Sequence, residues 1–151
     1  MSLFCAHGAA CPVTNHPGLQ LHDTCRVGLG VHTTAYIELG DVVGECVGRL
    51  FEYPAVIEGQ PRQAIKQNSE YTVLLNAQSA SGVYVYIEAL NCGSITLFMS
   101  HSCNPNVEFV KIQNGTTVKV LARMIKAVRP GTQLTVNYSD EVWFKCACDT
   151  C

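Results

Sequence analysis

The segment Ser100-His101-Ser102-Cys103-Asn104-Pro105-Asn106 decides how this chain is read. It is a polar, turn-forming stretch between two apolar runs, a setting in which the Cys103 side chain is free to point at a neighbouring segment. Downstream, Asn106 to Ile112 and Thr116 to Ile125 are β-rich runs joined around Gln113-Asn114-Gly115, and an Asn-Gly step supplies the positive φ angles of a tight hairpin. Val128-Arg129-Pro130-Gly131 then sets proline, with its fixed φ, ahead of glycine. That turn leads into Gln133-Leu134-Thr135-Val136-Asn137-Tyr138 as a last strand. Upstream, Asp41 to Phe51 and Val83 to Glu88 are short β-branched or aromatic runs bounded by glycine. Only Pro54 to Asn68 admits a helix, limited by Gly59 and Pro61 to a few turns. The chain reads as mainly β, with few short helices.

Its 151 residues fit one ordinary domain. A net charge of -2 with 15% charged residues provides no basic field, which argues against a direct nucleic-acid partner. No apolar run approaches the roughly 18 residues that span a bilayer, and Met1 to Ala10 lacks the layout of a signal peptide. The expectation is a soluble, intracellular protein without a membrane partner, with nucleus and cytoplasm both open. The first 25 residues, with Pro12, Pro17, Gly18 and no periodicity, read as an irregular arm.

Nine cysteines in such a chain point away from disulfides, because reducing compartments keep thiols reduced. Cys46 and Cys92 sit alone among apolar residues, whereas Cys146, Cys148 and Cys151 lie within six residues of one another. That spacing lets one tetrahedral zinc take all three thiolates, with Cys103 as the best fourth ligand. The other reading is a loose, reducible tail of three thiols.

Taken together, these segments resemble the SET-domain family from about Val27 to Cys151, with four motifs in the family's order. Val27-Gly28-Leu29-Gly30-Val31, followed by Ala35, Gly40 and Val43-Gly44-Glu45, is similar to its first strand pair. The segment from Ser100 to Asn106 matches the signature Asn-His-Ser-Cys-x-Pro-Asn except at its first residue. Gly131 to Tyr138 is similar to the last catalytic strand, and Phe144 to Cys151 to the post-SET zinc segment.

The resemblance implies a fold of small curved sheets with a C-terminal pseudoknot. It implies a SET domain over 26–141 and a post-SET segment over 142–151, after the arm of 1–25. It also implies methyl transfer from S-adenosylmethionine to a lysine amine in a protein substrate, such as a histone tail. On family positions, Tyr138 is the catalytic tyrosine. Val27 and Leu29 through their backbone, the Tyr71 ring, Ser100, His101 and Phe144 hold the cofactor, and Cys103, Cys146, Cys148 and Cys151 hold zinc. A lysine of pKa near 10.4 is about a thousandfold protonated at neutral pH, a gap of roughly 4 kcal/mol, so the site must favour the neutral amine.

Departures from the pattern open a second reading, a catalytically silent SET-like module that binds a protein partner. Ser100 replaces asparagine, Ser94 follows Gly93 where asparagine is expected, Leu97 replaces arginine and Cys46 replaces tyrosine. Val136 stands where an aromatic residue is common and implies a roomier channel.

Overall fold

A computed structural model of the chain describes residues 15–53, 72–78, 84–88, 94–114, 117–138 and 145–148. In chain order the strands are β1 (Leu19–Asp23), β2 (Leu29–Thr33), β3 (Val42–Cys46), β4 (Arg49–Tyr53), β5 (Thr72–Gln78), β6 (Tyr84–Glu88), β7 (Ser100–His101), β8 (Val107–Asn114), β9 (Thr117–Met124) and β10 (Gln133–Val136). Among the described residues the only helical element is one 3-10 turn, Ile95–Phe98, capped by the Ser94 side chain, which accepts from the Thr96 amide. The larger sheet runs β1-β2-β10-β8-β9-β3, with β7 also paired to β10, and the smaller runs β4-β6-β5.

The hairpin expected around Asn114-Gly115 is β8–β9, antiparallel and in continuous register from Val107↔Met124 to Asn114↔Thr117. The Pro-Gly turn also forms as expected. Thr132 N–H donates to Arg129 O at 3.2 Å, and Gly131 has φ +85, the conformation that favours glycine at the third position of a type II turn. Hydrogen bonds from Gly131 N to Thr33 O (2.6 Å) and from Thr33 N to Thr132 O (3.0 Å) fasten this turn to the end of β2. The following residues therefore enter the sheet beside β2.

Strand β10, late in the chain, is inserted between the early pair β1–β2 and the β8–β9 hairpin. It runs antiparallel to β2 and parallel to β7 and β8. This places a C-terminal strand inside earlier structure, as the pseudoknot reading requires. Leu134 and Val136 point into the core with Val31, Ile37, Val43, Met99, Val107, Ala122 and Met124. Gln133 and Thr135, on the alternate face, are half-buried. Asn106 secures the strand from the side: its Nδ2 donates to Gln133 O at 2.8 Å and its Oδ1 accepts from Thr135 N at 2.9 Å.

Three features differ from the sequence reading. Residues 19–23, inside the segment expected to be irregular, form β1, because their backbone pairs with β2 from Leu19↔Thr33 to Asp23↔Leu29. The run Asp41 to Phe51 is two strands, broken at buried Val47-Gly48, where the chain leaves the larger sheet for the smaller. Ser100 and His101, read as part of a turn, are extended because they pair with Thr135 and Val136. The helix expected over 54–68 lies outside the described residues.

Asn106→Ala removes both side-chain partners of β10 and is expected to cost about 2–3 kcal/mol, since part-buried backbone groups lose their hydrogen bonds. At this chain length that lowers the thermal unfolding midpoint by about 5–10 °C. Asn106→Asp, which can still accept from Thr135 but cannot donate to Gln133 O, should fall between; equal midpoints for all three proteins would remove Asn106 from this role.

Candidate active site

The end of β10 and the segment from Met99 to Asn106 meet at one place. Parallel pairing sets Val136 beside His101, and Ser102 N donates to Val136 O at 2.9 Å. The chain leaving β10 then carries Tyr138 over the same segment. Tyr138 N–H donates to His101 Nδ1 at 3.1 Å, and the Tyr138 hydroxyl donates to Met99 O at 2.7 Å. The two rings lie 5.4 Å apart, tilted by 52°. Backbone amide and phenol are thus both held by residues flanking Ser100. Tyr138 nevertheless remains 45% exposed.

On its other side His101 meets sulfur. Its Nε2 lies 3.5 Å from Cys103 Sγ, which in turn lies 3.8 Å from Cys146 Sγ. The His101, Cys103 and Cys146 ligand atoms all fall within 4.8 Å of one another. Cys148 N–H donates to Cys146 Sγ at 3.4 Å. Burial lowers the proton affinity of the His101 imidazole below the ordinary histidine range, and a smaller charge interaction with Cys148 acts in the opposite direction. The sulfur spacing suits a metal. Thiolates about 2.3 Å from one tetrahedral zinc stand about 3.8 Å apart, whereas a disulfide needs about 2.05 Å.

The β1–β2 loop closes a further side. Thr24 organises it: its Oγ1 donates to Gly28 O at 2.7 Å and accepts from Val27 N at 3.0 Å, while Asp23 Oδ1 accepts from Cys25 N at 2.8 Å. Gly28 adopts φ +82 and a Cβ there would meet nothing within 4 Å, so its backbone faces open space. Gly30 differs. A Cβ on it would come within 2.6 Å of Thr24 Cγ2 and 3.0 Å of Gln133 Nε2, so the missing side chain makes room for this protein's own residues. Val27 and Leu29 are 52% and 50% exposed. Arg26 Nη1 donates to Ala147 O at 3.4 Å, linking this loop to the C-terminal cysteine segment.

The structure therefore gathers Ser100, His101, Cys103, Tyr138, Cys146 and Cys148, with Val27 in the loop, and Leu29 at the start of β2, next to the Arg26 contact with the same segment. Tyr71, Phe144 and Cys151 lie outside the described residues. Sequence reasoning missed Met99, the hydroxyl's acceptor, and Gln133, whose Nε2 reaches Ser100 Oγ at 3.5 Å. Neither carries a local signal, since a backbone carbonyl is common to all residues and Gln133 reads only as a strand position.

Cys46 has a different environment. It is buried in β3 opposite Val120, and desolvation pushes its thiol up to about 11, against a lowering hydrogen bond with Thr96 and a smaller rise from Glu45. An unfolded thiol ionises from about pH 8.5. The stability gained by burying it neutral is therefore fully present below that pH and is lost as pH rises toward about 11. Iodoacetamide at pH 7.5 should leave Cys46 unmodified in the native protein, and Cys46→Ala should flatten the fall in unfolding midpoint between pH 9 and 11; rapid native labelling of Cys46 would contradict its assignment.

Comparison with known proteins adds a family to this geometry. The family model described as SET domain matches residues 28–139. The mouse "Histone-lysine N-methyltransferase, H3 lysine-36 specific" is 26% identical over 93% of this chain, mouse "Histone-lysine N-methyltransferase NSD3" 29% over 92%, and rat "Histone-lysine N-methyltransferase SETMAR" 27% over 80%. The aligned region spans only 6%, 10% and 39% of those proteins. Among solved structures, the Neurospora SET domain protein DIM-5, a histone lysine methyltransferase, shares the fold with a TM-score of 0.66 at 24% identity, covering 86% of this chain and 56% of that one.

Proposed function

The chain belongs to the SET-domain family, and on that premise we propose that it transfers methyl groups from S-adenosylmethionine to the side-chain amine of a lysine in a protein substrate, with histone tails the first candidates. The observation that carries this reading is the placement of Tyr138. Its hydroxyl proton is given to Met99 O, so the phenol oxygen presents acceptor lone pairs to whatever occupies the site. A neutral lysine amine donating to that oxygen keeps its own lone pair for the methyl carbon.

S-adenosylmethionine, when bound, supplies an electrophilic methyl group. The residues that would hold it are the backbone at Val27 and Leu29 together with Ser100 and His101, with Tyr71 and Phe144 added from their family positions. Since both ring nitrogens of His101 are occupied by Tyr138 and Cys103, its contact with the cofactor falls to its main chain. Ser100, shorter than asparagine, has the Gln133 amide beside it.

Zinc is the second part of the reading. Cys103 and Cys146 have a spacing suited to it, Cys148 follows in a C-x-C pair, and Cys151 enters from its spacing alone. The ion would fasten the C-terminal segment against the His101 loop. Among the described residues no helix is long and apolar enough to cross a membrane.

Zinc-loaded protein incubated with labelled S-adenosylmethionine and core histones should transfer label to lysine. Tyr138→Phe should lower turnover by about a hundredfold or more while leaving cofactor affinity within about threefold, because only the hydroxyl is lost. No labelled protein in histones or whole lysate, with a related enzyme active in parallel, would overturn the enzymatic reading; undiminished turnover in Tyr138→Phe would remove that residue from the mechanism.

Freshly purified, reduced protein should contain one zinc per chain. Structural zinc contributes on the order of 10 kcal/mol in small peptides, so chelation or Cys148→Ser should release the C-terminal segment and weaken cofactor binding while far-ultraviolet circular dichroism changes little. Metal-free protein with full cofactor affinity would dismiss the zinc and leave the methyl-transfer reading standing.

A further inference from the structure

We propose that His101 is a positioning residue that joins the metal centre to the catalytic strand, its Nδ1 receiving the Tyr138 amide hydrogen and its Nε2 hydrogen donated to the Cys103 sulfur. The inference rests on the reading that the cysteines hold zinc, and it assigns the ring a place beside the metal ligands rather than among them.

The assignment follows from which groups can donate. A backbone N–H only donates, so the contact from Tyr138 N at 3.1 Å requires a lone pair on His101 Nδ1. A neutral imidazole with a lone pair on Nδ1 carries its hydrogen on Nε2. That hydrogen-bearing nitrogen is the one 3.5 Å from Cys103 Sγ. Were Nε2 a metal ligand instead, the ring would have to lose its remaining proton to keep accepting from Tyr138. Metal-bound histidines show the opposite polarity, donating their second N–H to an acceptor. The grouping of His101, Cys103 and Cys146 is therefore two candidate ligands and one donor to a ligand.

The consequence is mechanical. A metal that fixes the Cys103 sulfur fixes the imidazole, and the imidazole holds the amide of the residue whose hydroxyl rests on Met99 O. Occupancy of the metal centre thereby sets how firmly Tyr138 is held, by a route separate from the C-terminal segment that the same ion fastens.

Two substitutions separate the halves of the bridge. His101→Asn offers an amide oxygen near the place of Nδ1, and His101→Gln an amide nitrogen near that of Nε2. Both variants should retain one zinc per chain, and after cobalt replacement both should show the wild-type thiolate-to-metal absorption bands. Hydrogen exchange at the Tyr138 amide reads the coupling. Chelation should speed it at least about tenfold in wild type, as local protection is lost. In His101→Gln exchange should be fast with metal bound and unchanged by chelation; in His101→Asn it should stay slow and likewise ignore chelation. Loss of zinc from either variant, or altered cobalt bands, would make His101 a ligand and overturn the proposal. So would Tyr138 exchange indifferent to chelation in the wild-type protein, which needs no variant to fold. Absence of zinc from wild type would remove the metal reading and this proposal together, whereas zinc present with an indifferent Tyr138 amide would remove this proposal alone.

Discussion

Strand β10 is four residues long and buries Leu134 and Val136, so its amides and carbonyls must find partners within the protein. They find them on both edges, in β2 on one side and in β7, β8 and the Asn106 side chain on the other. A strand accommodated in this way fixes its neighbours as firmly as they fix it. The turn at Gly131 is held to Thr33 at its entrance, and at its exit Tyr138 is delivered onto Met99 and His101. The candidate site is thus the C-terminal end of one inserted strand, built from segments more than thirty positions apart in sequence.

Cysteine chemistry divides along the same lines. Cys46, closed into the sheet, is kept protonated by desolvation and acts as a small apolar residue. Cys103 is exposed and Cys146 half-exposed, and each has a donor close at hand, the His101 ring or the Cys148 amide. Environment, not composition, distinguishes a core thiol from an exposed one set beside donors. The neutral state of His101 belongs to the same arrangement, because only a neutral ring can accept from the Tyr138 amide while facing sulfur.

The sequence was most informative where conformation is a local matter. Pro130-Gly131 carries its own dihedral preference, and Gly131 adopts φ +85 in the turn that forms there, while the hairpin expected around Asn114-Gly115 forms as β8–β9 with Asn114 itself paired to Thr117. Strands β1 and β7 were not legible in this way. Residues 19–23 form a short strand that takes shape from pairing with β2, and Ser100-His101 is extended only through contact with residues 35 positions away. The break at Val47-Gly48 was hidden within a continuous apolar run, since exchange of one sheet for another leaves β propensity unchanged. At the site, His101 and Cys103 are legible in the Ser100–Asn106 segment and Tyr138 in the Gly131–Tyr138 segment. The direction of each hydrogen bond around them was not readable, because donors and acceptors are assigned by tertiary approach. Tyr71 and Phe144 rest on family position, and Cys151 on its spacing from Cys146 and Cys148.

On the proposed reading, the end of β10, the Ser100-His101 strand and the β1–β2 loop form one cofactor site under the Tyr138 hydroxyl. A crystal structure of the zinc-loaded chain with S-adenosylhomocysteine and a lysine peptide tests it most directly. The cofactor is expected between the Val27-Gly28-Leu29 backbone and Ser100, its sulfur facing the peptide amine, with the Tyr138 oxygen within hydrogen-bond reach of that amine. Cofactor bound elsewhere, or an amine that reaches no atom of Tyr138, would contradict it.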